Sequence, residues 1–316
     1  MYPRRGGVST VVNSQSNTHA ETRLRMNPLT IHSQPEGLRR PVLITAFNGW
    51  NDAAESATTA ARYLGTAFGA EKFAEIDPEE FYHFGLSRPY VRYKSGSETE
   101  REIVWPTTDF SVARAPGLSR DLVIAVAGEP HLKWRSYCAA VLELAQRCQV
   151  TLVVMLGALL AEVPHTRPIR ISGSASDPEL AARLGVKPSR YEGPTGIVGV
   201  LNTACREQGL ETASVWANVP HYISGIENPK AALAIVQRVL MLLNAEADLT
   251  DLEDATKQFE QNLSEIVAQN AKIKAYVAKL ESRDSDEPEP ATTSDLPPAA
   301  ELVEEMEQFL RQQRPE

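Results

Sequence analysis

The sequence has few cysteines and no long apolar segment. Its 316 residues include three cysteines, Cys138, Cys148 and Cys205, whose spacing matches no metal-binding pattern. An odd, sparse count argues against a disulfide framework and is typical of a reducing compartment. No stretch approaches the roughly 18 apolar residues of a transmembrane helix, and the N-terminal segment lacks the apolar core of a signal peptide. These absences predict a cytoplasmic protein with no membrane partner. Met1 and Met26 are both candidate starts of translation.

A basic stripe is also missing. Residues 281–316 carry 11 acidic and 3 basic side chains, whereas residues 1–40 carry 6 basic and 2 acidic ones. Neutralisation of phosphates by lysine and arginine supplies most of the affinity for nucleic acids. A chain with an acidic tail and no basic face is therefore not expected to bind nucleic acid.

Several catalytic signatures are absent as well. The sequence has no GxSxG nucleophile elbow, no HExxH zinc motif, no GxGxxG fingerprint and no phosphate loop with its lysine. These patterns mark α/β-hydrolases, zinc peptidases, dinucleotide-binding proteins and nucleoside triphosphatases. The sequence accordingly predicts neither a metal nor a cofactor.

What is present from residue 39 onward is an alternation of buried strands and helices. The near-continuous apolar runs VLITAF, DLVIAVAG, TLVVMLGALL and ASVWANV are typical of central strands covered on both faces. Helical patterns lie between them, which favours right-handed crossovers. The expected fold is an α/β three-layer sandwich over residues 39–247 with a largely parallel central sheet. Strand follows strand over residues 72–105, which predicts an antiparallel edge or a hairpin.

The two ends of the chain differ from this core in composition. Residues 1–38 have no sustained apolar period and are predicted to be a disordered arm. Residues 283–298 are acidic and rich in proline, which predicts a disordered linker. Residues 299–313 place Leu302, Val303, Met306, Phe309 and Leu310 on one side of a helix, which predicts a short amphipathic helix able to dock on a partner.

Between core and linker, residues 248–282 have a sevenfold apolar period. Leu252, Phe259, Ile266, Ile273 and Leu280 occupy one position of the heptad, and Asn270 falls at the other. A buried asparagine in such a seam sets helix register and number. The pattern predicts a coiled-coil helix whose apolar face binds a partner. It equally allows a helix that packs against its own domain or against the last helix.

Three apolar runs end at a proline followed by a histidine: His131, His165 and His221. About 0.4 Pro-His pairs are expected by chance at this composition. Because the carboxyl ends of parallel strands open on one edge of a sheet, we expect the three imidazoles to be neighbours in a pocket there. The residues predicted to line it are Asn48, Asp52, Glu129, His131, His165, Arg167, Thr195, His221 and Asn228.

Within this edge, Glu162 and His165 are the candidates for a general acid/base pair, being three residues apart after a strand. The alternative is that each proline sets the exit of its strand and each histidine bonds nearby backbone. A metal is not expected there.

The stretch YEGPTGIVGVLN predicts a helix opening after a tight turn. Gly193 and Gly196 permit the turn, and Thr195 is expected to cap the helix. Free N–H groups at a helix N-terminus bind anions readily, so these three residues form the candidate anion site. A plain capped helix is the alternative.

Taken together and in this order, NGWNDAAESA, EVPHTRP, GPTGIVGVLN and NVPHYISGIENPKAAL resemble the family named for the second proteasome assembly chaperone, in its actinobacterial branch. The resemblance covers about residues 40–245. It implies a fold similar to nucleoside phosphorylases, assembly into oligomers and binding to proteins rather than catalysis. The positions that match the family's motifs are Gly49, Asp52, His165, Pro168, Gly193, Thr195, Gly196, Pro220, His221, Asn228 and Pro229.

The chain departs from that family in one respect. Archaeal relatives that engage the proteasome end in a hydrophobic residue, a tyrosine and one last residue, whereas this sequence ends RQQRPE. The expected function is therefore a homo-oligomeric binding or assembly protein whose partner contacts its C-terminal helices. The alternative is an enzyme, of hydrolase, phosphorylase or ligase type, that acts on a small anionic substrate at the strand ends.

Overall fold

A computed structural model describes residues 27–114, 117–186, 192–223 and 225–283. Its strands are β1 Leu29–Ile31, β2 Val42–Asn48, β3 Glu71–Ile76, β4 Tyr90–Tyr93, β5 Arg101–Val104, β6 Thr108–Ala113, β7 Leu122–Gly128, β8 Leu152–Ala161, β9 Ile171–Ala175 and β10 Glu211–Pro220. Its α-helices are α1 Ser56–Ala67, α2 Trp134–Arg147, α3 Pro178–Leu184, α4 Ile197–Glu207, α5 Pro229–Leu243, α6 Thr250–Gln269 and α7 Ala271–Arg283.

Eight strands form one mixed sheet in the order β1-β3-β6-β7-β2-β8-β10-β9. The central strands β7, β2, β8 and β10 are parallel to one another, and the strands on both sides pair antiparallel. The apolar runs form these central strands because both of their faces are buried. The predicted α/β sandwich with a parallel centre is confirmed.

Helices cover both faces of the sheet. On one face α1, α3 and α5 share a core with the even-numbered residues of β2, such as Ile44. On the other face α2 and α4 share a core with the odd-numbered residues of β2, such as Leu43 and Phe47. Successive side chains of a strand point to opposite faces, so each buried strand contributes to both cores.

Strands β4 and β5 form a separate two-stranded sheet. The hairpin predicted within residues 72–105 is therefore present, while β3, from the same region, lies in the main sheet. The sequence pattern does not predict β6 or β9. Polar or small residues interrupt the apolar alternation in TDFSVA and ISGSA, and both strands depend on pairing with an apolar neighbour.

The described structure includes residues before the predicted boundary at residue 39. Strand β1 lies inside the predicted arm, pairs with β3 and buries Leu29. A three-residue strand carries too little periodicity to be recognised from sequence. The rest of that arm, residues 1–26, lies outside the described residues, as do the predicted linker and terminal helix within 284–316.

The heptad-bearing segment forms two helices rather than one, which corrects the prediction. Asn270 has extended backbone angles between α6 and α7, and its Oδ1 accepts hydrogen bonds from Lys272 N and Ile273 N at 3.0 and 3.2 Å. Asparagine bonds local backbone readily and so interrupts helices and caps them. Asn270 therefore starts α7 and does not sit in a coiled-coil seam.

The heptad seam itself faces inward. Leu263, Ile266, Ile273 and Leu280 are buried in a cluster with Tyr222 of the core. The sevenfold period thus arises from packing within the chain, the second of the two alternatives that the pattern allowed. Across the described ranges, none of the helices is long and apolar enough to cross a membrane.

Candidate functional site

The carboxyl ends of β2, β7, β8 and β10 all lie at one edge of the sheet because these strands are parallel. Asn48 ends β2, His131 follows β7, His165 follows β8 and His221 follows β10. The expectation that these residues share an edge is met by the topology. Their side chains, however, fall into two separate sets of contacts.

The first set lines a cleft of about 560 Å³, which we call the strand-end cleft. Its lining residues are Asn48, Gly49, Trp50, Leu86, Ser87, Gly128, Glu129, Pro130, His131 and Trp134. Trp50 and Leu86 are exposed to 66% and 73%. A concave surface of this size that combines apolar and polar side chains is typical of a binding site.

At one wall of the strand-end cleft, Glu129 holds three elements together. Its Oε1 accepts hydrogen bonds from Ile197 N and from Asn51 Nδ2, both at 2.8 Å. Ile197 is the first residue of α4, so the carboxylate occupies the positive end of that helix. A Cβ at Gly196 would lie 2.4 Å from Asn51 and 2.7 Å from Glu129, so this close approach requires glycine.

The helix N-terminus predicted to bind an anion is thus occupied by a carboxylate of the protein itself. Thr195 does not cap α4, contrary to the prediction: the cap residue is Gly196 and has no side-chain cap bond. The Thr195 hydroxyl instead donates to Gly196 O at 3.4 Å, and Gly193 is exposed. Asn51, missed by the sequence reasoning, supplies the partner that Glu129 needs.

His131 completes the rim of the strand-end cleft. Its Nδ1 accepts a hydrogen bond from His83 N at 3.0 Å, and its ring meets the ring of Tyr82 edge-on at 5.8 Å. The imidazole is exposed. His131 therefore positions the loop that carries Leu86.

The second set of contacts centres on Tyr222, and we call His165, His221, Tyr222 and Tyr276 the Tyr222 cluster. The Tyr222 hydroxyl accepts a hydrogen bond from His165 N at 2.7 Å and lies 2.7 Å from His165 Nδ1. His221 Nε2 lies 3.1 Å from the Tyr276 hydroxyl, and its Nδ1 lies 3.3 Å from Ala161 O. The signal for Tyr222 in the sequence is its position directly after Pro220 and His221.

Helices α6 and α7 cover the Tyr222 cluster. Lys230 Nζ donates to His165 O at 2.8 Å and pairs with Glu260 at 2.6 Å. Glu162 lies 3.9 Å from Arg283, and Thr166 donates to Glu281.

These contacts bear on the acid/base hypothesis. The described contacts of Glu162 run to α7, and those of His165 run to Tyr222 and Lys230. Glu162 therefore ties α7 to the core, and His165 is held by Tyr222 and by Lys230 of α5. Their catalytic role stays a prediction.

The remaining predicted pocket residues are helix caps or surface groups. Asp52 accepts hydrogen bonds from Ala57 N at 2.6 Å and from the Thr58 hydroxyl at 2.5 Å. Burial raises the pKa of this carboxyl, although these hydrogen bonds oppose the shift. Asn228 accepts from Ala231 N at 3.0 Å, and Arg167 is exposed.

The three imidazoles thus do not form one group of contacts. His131 belongs to the strand-end cleft, whereas His165 and His221 belong to the Tyr222 cluster. The two sets lie side by side at this edge, because only β2 separates β7 from β8 in the sheet. Within the described ranges, no three histidine, cysteine or acidic side chains are grouped in a way that would hold a metal ion.

Burial of His165 predicts a pH-dependent stability. Burial, with a smaller effect of Lys230, lowers the pKa of His165 from 6.5 to about 4. The unfolded chain therefore binds a proton on His165 at a higher pH than the folded chain, and stability falls as pH drops from about 6.5 towards about 4. Since one pKa unit corresponds to about 1.4 kcal/mol, we expect this component to reach about 2 kcal/mol at about pH 5.

Urea unfolding as a function of pH measures the effect. The variant His165→Gln removes the titrating group, so its stability should change less over the same pH interval. Equal pH slopes for the two proteins between about pH 6.5 and 5 would show that His165 is not the group responsible.

An exposed apolar surface lies on the β4–β5 hairpin, and the sequence reasoning did not single it out. Val91 pairs with Ile103, and Tyr93 with Arg101. Val91, Tyr93, Ile103 and Trp105 are exposed to 59%, 53%, 56% and 43%, and we call them the apolar hairpin face. The Arg101 guanidinium lies over the Tyr93 ring at 5.1 Å.

The apolar hairpin face continues towards the strand-end cleft. Trp105 meets the ring of Phe84 edge-on at 5.0 Å, and Leu86, two residues after Phe84, lines the cleft. Contiguous exposed apolar surface of this kind marks sites of protein association.

Comparison with known proteins identifies a family and several solved structures that are similar to this chain. The model of the PAC2 family matches residues 46–267. A PAC2 family protein from Streptomyces avermitilis is 40% identical with a TM-score of 0.68, over 75% of this chain and 99% of that one. A Mycobacterium tuberculosis proteasome-assembly chaperone homologue gives the same identity, TM-score and coverage.

More distant structures share the fold. The archaeal proteasome activator PbaB of Pyrococcus furiosus is 19% identical with a TM-score of 0.61, over 76% of this chain and 99% of that one. A comparison with curated proteins gave no match.

Proposed function

We propose, since this chain belongs to the PAC2 family, that it is a protein-binding or assembly protein with a chaperone-like role. It acts as a homo-oligomer in the cytoplasm and recognises a protein rather than a small substrate. The proteasome-assembly chaperone homologue among its relatives supports a function based on protein contacts. Its partner is a protein that offers an apolar surface.

The observation that carries the proposal is the exposure of the apolar hairpin face. A two-stranded hairpin outside a larger sheet is marginally stable in water. This one leaves Val91, Tyr93 and Ile103 more than half exposed. Association with another protein surface buries these side chains and stabilises the hairpin at the same time.

This proposal moves the predicted partner contact away from the heptad seam. The seam residues of α6 and α7 are buried against Tyr222 within the chain, so they offer no free apolar stripe. The second predicted contact, residues 299–313, lies outside the described residues. Among the described residues, we assign partner capture to the apolar hairpin face.

The variant Ile103→Glu tests the proposal. A glutamate buried at an apolar contact carries an unpaired charge, so we expect association to weaken at least about tenfold. Light scattering across a dilution series measures self-association, and co-purification from native cells measures partner capture.

Met241→Glu is the matched control. Met241 on α5 is exposed to 53%, compared with 56% for Ile103, so both variants place the same charge at a similarly exposed apolar position. Unchanged association of Ile103→Glu in both measurements would contradict the proposal. An equal loss with Met241→Glu would contradict it too, because the effect would not be specific to the hairpin.

The alternative of an enzyme acting on a small anion loses its main structural support. Glu129 occupies the helix end that was to hold the anion, and His165 is buried beneath the terminal helices with 4% exposure. We therefore favour the protein-binding function over the enzyme alternative.

A further inference from the structure

The strand-end cleft has apolar walls that are open to solvent. Trp50 and Leu86 both line the cleft, and both are more than half exposed. Leu132, next to His131, is exposed to 49%. Exposed indole and leucine side chains around a concavity favour an apolar helix face as the occupant.

The rim beside these walls is basic. Arg88 follows the lining residue Ser87, Arg135 follows the lining residue Trp134, and both arginines are exposed. Lys133 also lies there and pairs with Glu80. Inside the cleft, the Glu129 carboxylate bonds Asn51 and the end of α4. An acidic ligand with an apolar stripe complements this surface.

The last described helix ends at the edge of the sheet that also carries the strand-end cleft. Arg283, the end of α7, lies 3.9 Å from Glu162, which follows β8. Strand β8 is two places from β7 in the sheet, and neighbouring strands are about 4.8 Å apart, so the separation across the sheet is on the order of 10 Å. The chain beyond Arg283 therefore starts at the edge that carries the cleft.

Residues 284–316 combine the negative charge and the apolar stripe that complement the strand-end cleft. They contain ten acidic and two basic residues. Within them, residues 299–313 combine the apolar positions Leu302, Met306 and Phe309 at helical spacing with four glutamates. Residues 284–298 form a connection of 15 residues, which spans about 50 Å when extended and about 20 Å on average as a flexible chain.

We propose that the strand-end cleft binds residues 299–313 of the same chain as an acidic amphipathic helix. A short flexible connection gives a tethered segment an effective concentration in the millimolar range. That value exceeds the micromolar concentration of a second copy or of a free partner, so the chain's own segment is the favoured occupant. In the bound state the apolar stripe of the segment packs against Trp50 and Leu86.

This inference goes beyond the proposed function because it assigns an intramolecular ligand to a different surface. The hairpin variant Ile103→Glu leaves the strand-end cleft and residues 299–313 unchanged. Its result and the result of the experiment below are therefore independent.

Cross-linking within the full-length chain tests the proposal. The native cysteines are all buried, so a thiol-specific cross-linker reacts mainly with cysteines introduced at the surface. The pair Ser87→Cys with Gln313→Cys places one thiol in the cleft lining and one at the end of the segment. A short bis-maleimide should join them within one chain, with a yield that does not depend on protein concentration.

Two controls sharpen this experiment. In the first, Glu211→Cys replaces Ser87→Cys, because Glu211 is exposed at the amino end of β10, on the opposite edge of the sheet. In the second, Phe309→Glu is added to the reporting pair and compared with Gln312→Glu, which lies on the polar side of the same segment. We expect at least a tenfold slower cross-link with Glu211→Cys and with Phe309→Glu, and little change with Gln312→Glu.

Three results would overturn the proposal. A cross-link that joins two chains, recognised by twice the mass and by its loss on dilution, would assign the cleft to a second copy. Equal rates for the Ser87 and Glu211 pairs would mean that the segment has no preferred site. Equal rates with and without Phe309→Glu would mean that its apolar stripe is not what binds.

Discussion

Replacement of Glu129 with alanine is expected to lower the free energy of unfolding by about 3 kcal/mol. Glu129 Oε1 accepts from Ile197 N and from Asn51 Nδ2 at 2.8 Å. Asn51 is 1% exposed, so the substitution leaves a buried amide and the start of a helix without their acceptor. Both the desolvation of the unpaired amide and the lost charge at the helix end contribute. Urea unfolding followed by circular dichroism measures the change.

The matched control for this prediction is Glu162→Ala. Glu162 also follows a central strand at the same edge, but its ion pair with Arg283 is long, at 3.9 Å, and Arg283 is half exposed. Exposed pairs contribute little, so we expect a loss below about 1 kcal/mol. Equal losses for the two variants would show that Glu129 is an ordinary surface carboxylate and that our account of the cleft wall is wrong.

Gly173→Ala is expected to be the other strongly destabilising substitution, again by about 3 kcal/mol. Gly173 lies in β9, and a Cβ there would fall 2.0 Å from Ser214 O of the neighbouring strand β10. Because the obstacle is backbone, no rotamer change relieves the overlap. Strand β9 has to separate from β10 or tilt away from it, which weakens the pairing at this edge of the sheet.

Gly128→Ala is the control for Gly173→Ala. A Cβ at Gly128 would lie 3.6 Å from Tyr82, which is an ordinary contact distance, so we expect a change within about 1 kcal/mol. Thermal unfolding of both variants compares them directly. A Gly173→Ala protein as stable as the parent would mean that β9 is free to move and contributes little to the fold.

The central sheet could be read from the sequence because burial on both faces requires a specific composition. The runs that form β2, β7 and β8 are apolar at nearly every position, and few other structures accommodate such runs in a soluble chain. Strands β6 and β9 carry polar and small residues. Their strand conformation depends on hydrogen bonds to β7 and β10, which local propensity does not reveal.

The location of the site could be predicted from the sequence, but its side-chain contacts could not. Parallel strands bring their carboxyl ends to one edge, so the common location of Asn48, His131, His165 and His221 follows from chain direction alone. Contacts within the edge depend on side chains that are far apart in sequence. Glu129 and Ile197 are separated by 68 residues, and no local pattern predicts that one will cap the other.

In the heptad segment, the sequence determines which residues share an apolar face, and the tertiary structure determines which surface buries that face. A sevenfold apolar period determines that Leu263, Ile266, Ile273 and Leu280 share a face and must be buried. It leaves open which surface buries them, because an apolar stripe gains the same free energy against another subunit as against its own core. The turn at Asn270 and the position of Tyr222 decided this question by bringing the core's own apolar surface within reach.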